Sequence, residues 1–366
     1  MAIYMDVHIV PGVTAKAVAE AHKKDVELQD EHACKCMTYW IDESRESVFC
    51  LIEAPNKEAV IEMHDKAHGL IPHKIIEVDT NIVESFLGRI FDPTEAETSD
   101  EGLKIFSDPS FRILVITEIN DPVLLKYKMG NEAANELLNR HKSIVRKYLS
   151  QFGGREVEQG GSGFIMSFST AVKAVSCALA IQKEISDADA DALGFKMSIS
   201  SGEPIEKSNK LFGDTIQRAK YMCAIAKYFQ VAIASSVKDL VAKDHFQEKQ
   251  NSFFTIPPKD EALLELLYNK LEENWQNPEF DLDDYCQEVA MSKSQLYRKT
   301  IALTGLSPNI LLKEFRLEKA KNLIKKQNYS IAQVTFETGF TSPSYFTKCF
   351  KKKYGLLPMT YIELLH

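Results

Sequence analysis

Two stretches in the C-terminal part of this 366-residue chain repeat one pattern at an interval of fifty residues. Ser294-Gln-Leu-Tyr-Arg-Lys runs on to Gly305-Leu-Ser-Pro308, and Ser344-Tyr-Phe-Thr-Lys runs on to Gly355-Leu-Leu-Pro358. A short helical segment and a turn precede each stretch, so each copy predicts a helix, a tight turn and a second helix. The repeat therefore predicts an all-α C-terminal domain of two helix-turn-helix units joined by one long helix.

Positive charge is concentrated in the same part of the chain. Residues 291–362 contain 13 lysines and arginines and only three acidic residues, whereas the whole chain has a formal net charge of −8. The other 294 residues therefore carry a net charge of −18. An acidic body with a basic tail is typical of a nucleic-acid-binding tail. The alternative is that the basic stripe is only the solvated face of a helix.

The second helix of a helix-turn-helix projects polar side chains into the major groove of DNA. Arginine, lysine and glutamine are the side chains that read the edges of guanine and adenine. We therefore expect double-stranded DNA as a partner, and the run 351–353 of three lysines is expected to contact phosphates. The candidate base-reading residues are Lys293, Ser294, Gln295 and Arg298 in the first copy and Ser342, Ser344, Thr347 and Lys348 in the second.

Several short motifs fall at fixed spacings within residues 265–363. They are Gly305-Leu-Ser-Pro308, Arg316-Leu-Glu-Lys-Ala320, Gly339-Phe340, Ser344-Tyr-Phe346 and Phe350-Lys-Lys-Lys-Tyr-Gly355. With these motifs the tail resembles the AraC/XylS family of bacterial transcription regulators. The resemblance implies that the helices beginning at Ser292 and Ser342 are recognition helices. With it we expect a homodimer, and RNA polymerase is a further candidate partner.

Two polar segments, 92–102 and 243–252, divide the chain into three parts. Polar runs of this kind, here followed by Pro257-Pro258, mark domain boundaries. We expect domains at 1–90, 105–245 and 260–366. The first part follows the order β-α-β-β-α-β, which predicts a ferredoxin-like domain. The expected fold class is multidomain α+β: a ferredoxin-like N-terminal domain, an α/β middle domain and an all-α C-terminal domain.

The middle part resembles class III nucleotide cyclase domains over about residues 110–240. The similar pieces are the strand 113–119, Leu138-Asn-Arg-His141, the turn region 153–164, Ser201-Gly-Glu203 and Phe212-Gly-Asp-Thr215. The resemblance implies a cyclase-like fold with two metal-binding aspartates on the first strand and in the hairpin turn.

The residues that this resemblance would make catalytic are replaced. Glu118 and Ser162 stand at the two metal-binding positions, Glu158 at the adenine-selecting lysine, and Gln217 and Tyr221 at the transition-state asparagine and arginine. Ser162 lacks a metal-binding carboxylate and Tyr221 lacks the positive charge of an arginine, and cyclisation needs both. We therefore expect no enzyme, and a fold kept as a dimerisation element or a ligand pocket. A nucleotide ligand stays open, and the rival is a weakly active cyclase with a DNA-binding output.

The first domain is rich in metal-binding side chains. Residues 1–80 hold six of the nine histidines and three of the seven cysteines. Imidazole and thiolate ligands suit nickel or zinc better than magnesium. The candidate ligands are His8, Cys34, Cys36, His64 and His68. Surface or packing roles for these residues are the alternative.

A resemblance supports a metal in this domain. Met5-Asp-Val-His-Ile-Val-Pro-Gly12, the strand 49–55, His64-Asp-Lys-Ala-His-Gly-Leu70 and the strand 75–78 make it similar to a small family of ferredoxin-like nickel-binding proteins. The alternation of apolar and polar residues along the strand 3–9 sets a geometric expectation. If Met5 and Val7 face the two helices, His8 lies on the opposite face of the sheet. A single site within one subunit is then not expected to use His8, His64 and His68 together, unless a partner subunit or the end of the helix brings them together.

The remaining features bear on the compartment. The cysteines are odd in number and scattered, the start lacks the pattern of a signal peptide, and no apolar run approaches the ~18 residues that span a bilayer. We expect a reduced, soluble, cytoplasmic protein with no membrane partner. The combined interpretation is a dimeric transcription regulator whose front domains sense an effector, with a metal ion favoured. A regulator with no effector, whose front domains only assemble the dimer, is the alternative.

Overall fold

The computed structural model describes residues 1–98, 103–160, 163–185, 187–226, 230–241 and 253–365. Within these ranges the chain forms a four-stranded sheet, a six-stranded sheet, a two-stranded ribbon and a C-terminal group of helices. The expected multidomain α+β class is confirmed. Ser162, the part 99–102 of the first polar segment and the whole of the second, 243–252, lie outside the described residues.

The first domain contains a sheet in the antiparallel order β2-β3-β1-β4. Its elements are β1 (Ala2–Ile9), α1 (Ala15–Leu28), β2 (Lys35–Asp42), β3 (Ser47–Ala54), α2 (Lys57–Ala67), β4 (Lys74–Val78) and α3 (Thr80–Leu87). The side chains of Thr14 and Asn56 cap the first turns of α1 and α2. The predicted order β-α-β-β-α-β is confirmed, and α3 is an addition that the alternation did not reveal.

Both faces of this sheet are buried. Helices α1 and α2 cover one face, where Tyr4 packs with Val60 and Met63. Helix α3 and the middle domain cover the other, where Met5 and Val7 pack in one apolar cluster. The expectation that Met5 and Val7 face the two helices is therefore wrong. Alternation separates the two faces of a strand, but it does not say which face meets which neighbour when both are covered.

The ribbon and the middle domain follow. Their strands are β5 (Glu97–Thr98), β6 (Lys104–Ile105), β7 (Arg112–Glu118), β8 (Arg155–Gly160), β9 (Gly163–Phe168), β10 (Lys196–Gly202), β11 (Val231–Ala234) and β12 (Phe253–Ile256). Their helices are α4 (Pro122–Met129), α5 (Asn131–Gln151), α6 (Ala171–Glu184), α7 (Asp187–Leu193), α8 (Gly213–Ile225) and α9 (Ser235–Lys238). Strands β5 and β6 form the ribbon, and the large sheet has the order β12-β11-β10-β7-β9-β8.

The edge strand β12 lies beyond the boundary at residue 245 that the sequence suggested. It pairs in parallel with β11, from Val231 opposite Phe253 to Ala234 opposite Ile256. The middle sheet therefore continues to Ile256, directly before Pro257 and Pro258 open the next helix. A four-residue strand between a polar run and two prolines has too little alternation to be recognised in the sequence.

The C-terminal domain is helical in all its described elements. They are α10 (Pro258–Asn274), α11 (Leu282–Glu288), α12 (Lys293–Thr304), α13 (Pro308–Lys325), α14 (Ile331–Glu337), α15 (Pro343–Tyr354) and α16 (Pro358–Glu363). The first helix-turn-helix unit is α11–α12, the second is α14–α15, and α13 joins them. No helix in the described part of the chain has both the length and the apolar character needed to cross a membrane.

The C-terminal domain is attached to the middle domain at two different points. In the first attachment α10 packs on α8, where the rings of Tyr221 and Tyr268 stack with their centroids 4.5 Å apart. In the second, the buried carboxylate of Asp121 at the start of α4 accepts a hydrogen bond from Tyr361 at 2.8 Å and pairs with Lys325 at 2.5 Å. Leu124 of α4 lies within the apolar core of the second unit.

The turn of the second unit depends on Gly339. Its backbone has a φ of +72°, and a Cβ atom there would lie 2.5 Å from the carbonyl oxygen of Trp275. That oxygen accepts a hydrogen bond from Arg316 Nε at 2.9 Å, so the second turn is packed against the end of α10. Gly305 also has a left-handed φ, of +74°, but it has open space around it.

We expect Gly339→Ala to lower the melting temperature more than Gly305→Ala does. Both substitutions place an alanine at positive φ, which costs about 1–2 kcal/mol. Only the first also forces the backbone of Trp275 or the side chain of Arg316 to move. Thermal melting of the two full-length variants measures the difference, and equal losses would contradict the packing role of Gly339.

Candidate metal centre and DNA-binding surface

A buried cluster of histidines and carboxylates lies between the first sheet and its two helices. Asp6 and His8 come from β1 and Asp25 from α1, while His64 and His68 come from the end of α2. Asp6 and His8 face the helices because Met5 and Val7 occupy the alternate positions toward the middle domain. Strand pairing places Cys50 of β3 directly opposite Asp6.

His64 stands at the centre of the cluster. Its Nε2 is 3.1 Å from Asp6 Oδ2 and its Nδ1 is 3.0 Å from Asp25 Oδ1. His68 Nε2 is 3.1 Å from His64 Nδ1 and 3.2 Å from Asp25 Oδ1. His8 Nε2 is 3.2 Å from Asp6 Oδ1. His64 thus bridges two carboxylates that come from a strand and from a different helix.

The charges of the cluster support one another. Burial alone lowers the pKa of His64, but the charges and hydrogen bonds of Asp6 and Asp25 outweigh it and raise that pKa to about 10. Burial alone raises the pKa of both carboxyl groups, but the histidines outweigh it and lower both pKa values below the ordinary value. At neutral pH these three side chains therefore carry two negative charges and one positive charge. Their net negative charge in a buried place favours a cation.

The donor set fits a transition metal ion. Two overlapping groups have one ligand atom per residue within 4.8 Å of one another: Asp6, His8, Cys50 and His64, and Asp25, His64 and His68. Asp6 Oδ1 is buried, and its polar neighbour is His8 Nε2 at 3.2 Å, which is itself a candidate ligand. Imidazole, carboxylate and thiol donors suit nickel or zinc. These residues could therefore hold such an ion.

Three of the five candidate ligands from the sequence lie in the cluster, and two lie outside it. The structure brings His8, His64 and His68 into one cluster within one subunit, so the expectation that they would stay apart is wrong. Cys34 and Cys36 lie outside both groups: the Sγ of Cys34 is 3.5 Å from the carbonyl oxygen of His32, and the Sγ of Cys36 is 3.8 Å from Met63 Sδ. All seven cysteines carry free thiols.

Sequence reasoning missed three members of the cluster. Asp6 is a charged residue within an apolar strand, and Asp25 lies about three turns from the start of α1 among apolar and polar neighbours. Cys50 becomes a candidate only once β1 and β3 are paired, because the pairing places it opposite Asp6 and the sequence does not show that register. A buried aspartate two residues from a histidine on one strand face was the signal available for Asp6.

The two candidate recognition helices present their predicted faces to solvent. On α12 the side chains of Lys293, Ser294, Gln295 and Arg298 are exposed. On α15 and its cap, Ser344 and Lys348 are exposed, and Ser342 and Thr347 are half-buried. Their base-reading role stays a prediction. The turn of the first unit is formed by Ala290 at a φ of +52°, where the second unit has Gly339.

Four of these eight side chains also have local structural partners, and one of them is Ser294, whose Oγ lies 3.2 Å from Ser292 Oγ. Gln295 forms a reciprocal capping box with Ser292 at the start of α12. Ser342 accepts a hydrogen bond from the backbone N–H of Tyr345 and so caps α15. Lys293 pairs with Asp283 at 2.5 Å on the surface. Arg298 and Lys348 have no ion-pair partner within the described ranges, so their charges are directly available to DNA.

Several cations of the basic tail hold the domain together instead. Lys353 lies 2.7 Å from Glu314 and 3.5 Å from Glu318, so it forms ion pairs within the domain, and its phosphate contact stays a prediction. Lys351 and Lys352 remain exposed. Lys319 pairs with Glu272 at 2.6 Å in the same way. A long helix that spans two units needs cross-links of this kind, and spacing alone does not separate them from DNA contacts.

Two tyrosines on the recognition helices were overlooked. Tyr297 on α12 and Tyr345 on α15 are each 53% exposed, next to the polar residues named above. Large exposed aromatic side chains in a polar surface are often interaction residues. Their positions beside the core residues were the available signal. Tyr297 follows the buried Leu296 and Tyr345 precedes the buried Phe346.

Two of the positions that the cyclase resemblance would make catalytic, Glu118 and Tyr221, lie next to helices of the C-terminal domain. Glu118 at the end of β7 is surrounded by charges that include Lys321 and Glu318 of α13, and burial raises its pKa. Tyr221 stacks on Tyr268 and donates a hydrogen bond to Asn269 of α10 at 3.0 Å. The DNA-binding domain therefore lies against this side of the middle domain.

Two families match parts of the chain. Residues 285–363 match a family described as helix-turn-helix domain, and residues 4–78 match a family described as nickel responsive protein SCO4226-like. The first and last of the three resemblances found in the sequence are thereby confirmed. Each match covers less than half of the chain, so each identifies a domain and not the whole protein.

Curated relatives are similar over the C-terminal third. Histidine kinase P4 of Formosa agariphila is 37% identical over 110 residues, which are 30% of this chain and 8% of that protein. HTH-type transcriptional regulator MtrA of Neisseria gonorrhoeae is 32% identical over 99 residues, 27% of this chain and 31% of that protein. The chain thus spans less than a third of either relative.

Solved structures are similar to the other two domains. The crystal structure of SCO4226 from Streptomyces coelicolor A3(2) is 32% identical, with a TM-score of 0.20, and the match covers 21% of this chain and 95% of that one. The crystal structure of the guanylyl cyclase Cya2 is 16% identical, with a TM-score of 0.31, and covers 36% of this chain and 79% of that one.

We expect the metal-free protein to lose stability between about pH 6.5 and 10. Folding raises the pKa of His64 from 6.5 to about 10, so its stabilising charge is fully present below pH 6.5 and is lost as the pH rises toward 10. In EDTA, the difference in melting temperature between the wild type and His64→Gln should therefore shrink over this pH range. A difference that stays constant from pH 6.5 to 10 would contradict an imidazolium between two carboxylates.

Proposed function

We propose that this protein is a sequence-specific DNA-binding transcription regulator whose N-terminal domain binds a divalent transition metal ion, with nickel favoured over zinc. One observation carries the proposal: a buried histidine between two buried carboxylates lies in the same chain as two exposed recognition helices. The family matches at the two ends support these two roles separately. The coupling between them is the new element.

The metal part rests on the chemistry of the cluster. A bound divalent ion would supply positive charge at the place where His64 now carries a proton. The residues that would hold it are Asp6, His8, Cys50 and His64, or Asp25, His64 and His68. The backbone N–H of Leu70 donates to His68 Nδ1 at 3.2 Å, which turns the Nε2 atom toward the cluster. The N-terminal family is described as nickel responsive, which supports nickel as the first ion to test.

The regulatory part rests on how β1 is used. Asp6 and His8 face the metal cluster, while Met5 and Val7, on the same strand, pack in one cluster with Leu114 and Phe212 of the middle domain. A ligand that favours one arrangement of these domains must shift the equilibrium between arrangements. If that arrangement binds DNA better, metal and DNA affinities are coupled, and about 1–3 kcal/mol suffices for a switch.

The proposed partners are double-stranded DNA, a second copy of the chain and RNA polymerase. Exposure of Arg298, Lys348, Lys351 and Lys352 supports DNA. The relative MtrA is named as a transcriptional regulator, which supports a regulatory output. The dimer and the polymerase contact stay predictions, and the mass of the protein in solution tests the dimer.

The middle domain is proposed to have no catalytic activity. Tyr221, at the position that the cyclase resemblance gives to a transition-state arginine, packs against α10, and Glu118 is half-buried near charged side chains of α13. The rival function is a cyclase with a DNA-binding output. It requires cyclic nucleotide to form from ATP or GTP with Mg²⁺ or Mn²⁺, and detection of that product would overturn this part of the proposal.

Nickel should raise the melting temperature of the EDTA-treated full-length protein in a saturable way. A ligand at 100 times its Kd stabilises the folded state by about 2.7 kcal/mol. The rise in melting temperature should vanish in a His64→Ala/His68→Ala variant. In Asp25→Asn the nickel affinity, read from the concentration dependence of the rise, should fall at least tenfold. Zinc, cobalt and copper are tested in parallel.

Cys34→Ser/Cys36→Ser is the matched control for this experiment. These two cysteines lie in the same domain but outside both ligand groups, so the double variant should bind nickel with unchanged affinity. A loss of binding in this variant would move the site to the edge strand β2. The absence of a shift with every metal would reject the metal part of the proposal.

DNA binding should separate the exposed cations into two kinds. Arg298→Ala or Lys348→Ala should cost about 1–3 kcal/mol on the operator and relax specificity at one position. Lys351→Ala/Lys352→Ala should weaken all sequences about equally and reduce the salt slope. Competition binding on a selected operator and on random DNA measures both effects. Equal losses on both DNAs for Arg298→Ala would reject its base-reading role.

A further inference from the structure

The segment between β10 and α8, residues 203–212 (the 203–212 loop), is contacted by groups from all three domains. Its backbone is bound by β4 of the N-terminal domain, and its apolar residues pack with β1 and α3. One of its side chains leads through α8 to α10 of the DNA-binding domain. The loop contains no candidate metal ligand and no candidate base-reading residue. It therefore lies between the two proposed binding sites without belonging to either.

One lysine of the N-terminal domain binds the backbone of this loop. Lys74 of β4 donates from its Nζ to three consecutive backbone carbonyls, those of residues 206–208, at 3.1, 2.6 and 2.7 Å. An ammonium group has three donors, so this contact uses all of them. Strand pairing places Lys74 directly opposite Val7 of β1, one residue before His8 of the proposed metal site. A shift of β1 or β4 is therefore passed directly to the loop.

The end of the loop has an unfavourable backbone conformation. Phe212 has a φ of +52°, in the left-handed region that residues with a Cβ atom avoid. Such a conformation persists only where the surroundings hold it. Here these surroundings include the N-terminal domain: the ring centroid of Phe212 lies 4.7 Å from that of Phe86 of α3, and Phe212 packs in one cluster with Met5 and Val7. When these contacts loosen, the loop can relax to another conformation.

The side chain of Glu206 connects the loop to the DNA-binding domain. It pairs with Arg218 of α8 at 3.3 Å and accepts a hydrogen bond from the hydroxyl of Thr215 at 3.0 Å. Arg218 Nε in turn lies 2.5 Å from the carboxylate of Glu265 of α10. All three charged side chains are half-buried, so solvent screens these ion pairs less than it screens pairs on the surface. The position of Glu206 therefore affects the position of α10, the first helix of the DNA-binding domain.

We propose that the 203–212 loop is a switch that couples the N-terminal domain to α10. In the state described here, Lys74 holds the loop backbone, and Glu206 shares Arg218 with Glu265. When the N-terminal sheet moves Lys74 away, Phe212 leaves the left-handed region, Glu206 withdraws, and Arg218 keeps Glu265 alone. The orientation of α10, and with it that of the first helix-turn-helix unit, then differs between the two states. This inference rests on the proposed function, since it names the route by which an N-terminal ligand acts on DNA binding.

Operator binding by the full-length protein, with and without nickel, tests this route. In the wild type, nickel should change the operator affinity by at least about fivefold. In Lys74→Met or Glu206→Gln that change should fall below twofold, while the nickel affinity stays within twofold of the wild type. The first variant removes the contact that holds the loop, and the second removes only the ion pair with Arg218. A full nickel effect in either variant would overturn the proposal.

Lys207→Met is the matched control for both variants. It removes an exposed charge from the same loop but keeps the backbone carbonyl that Lys74 binds. This variant should therefore show the full effect of nickel on operator affinity. A loss of the effect here would mean that any change of charge in the loop disturbs DNA binding, which would contradict the specific route through Lys74 and Glu206.

Hydrogen exchange of the metal-free protein provides a second measurement that needs neither nickel nor DNA. Lys74→Met should speed the exchange of backbone amides at least tenfold in the loop and in the turns of α10 around Glu265, with α6 unchanged. Lys207→Met should stay within twofold of the wild type throughout. Faster exchange in the loop alone would overturn the link to α10, and equal acceleration in α6 would indicate global unfolding and contradict a local switch. If exchange behaves as expected but nickel does not alter operator binding in the wild type, the proposed metal response fails and the link between the domains stands.

Discussion

Burial of both faces of the N-terminal sheet is the constraint on which the rest of the molecule depends. A strand in such a sheet has no solvent side, so every charged residue on it needs a partner within the protein. Asp6 and His8 meet this need by turning toward α1 and α2, where His64 and Asp25 complete the cluster. The same constraint turns Met5 toward the middle domain. The charged cluster and the domain interface are thus two consequences of one strand.

The basic tail shows that charge has two uses in one domain. Lys325 pairs with a buried carboxylate of the middle domain, and Lys353 crosses from α15 to α13. Buried or half-buried pairs of this kind cost desolvation, and their value lies in fixing the spacing of the two units. Arg298 and Lys348 have no ion-pair partner among the described residues, and they stay the proposed base-reading cations. A count of lysines and arginines therefore overstates the surface that can contact DNA.

The sequence was sufficient for the three fold types and insufficient for their junctions. The repeat around Ser294 and Ser344 predicted both helix-turn-helix units because motif spacing is a local property. The strand β12 and the helix α4 were missed because four to eight residues carry too little periodicity. The metal cluster was predicted in part: two histidines four apart on α2 are visible in one dimension. Asp25 and Cys50 join them only through helix packing and strand register, which the sequence does not display.

The error about His8 has the same physical origin. Alternation along β1 correctly separated Met5 from Asp6, but it assigned the apolar set to the helices because helices usually cover an apolar face. Here the larger apolar surface is supplied by another domain. Asp6 and His8 can then lie on the helix side, because His64 of α2 supplies a partner for Asp6 there. Interdomain burial thus inverted an assignment that would hold for the domain alone.

The attachment of the second helix-turn-helix unit to α4 affects how far this tail can be treated as an exchangeable module. A segment cut at residue 260 would leave behind Leu124, which covers part of the apolar core, and Asp121, the acceptor for the hydroxyl of Tyr361. A chimera that joins this tail to a foreign sensor would therefore expose an apolar patch and leave the hydroxyl of Tyr361 without its acceptor. The unit that is transferable in physical terms includes a helix from the preceding domain, more than one hundred residues earlier in the chain.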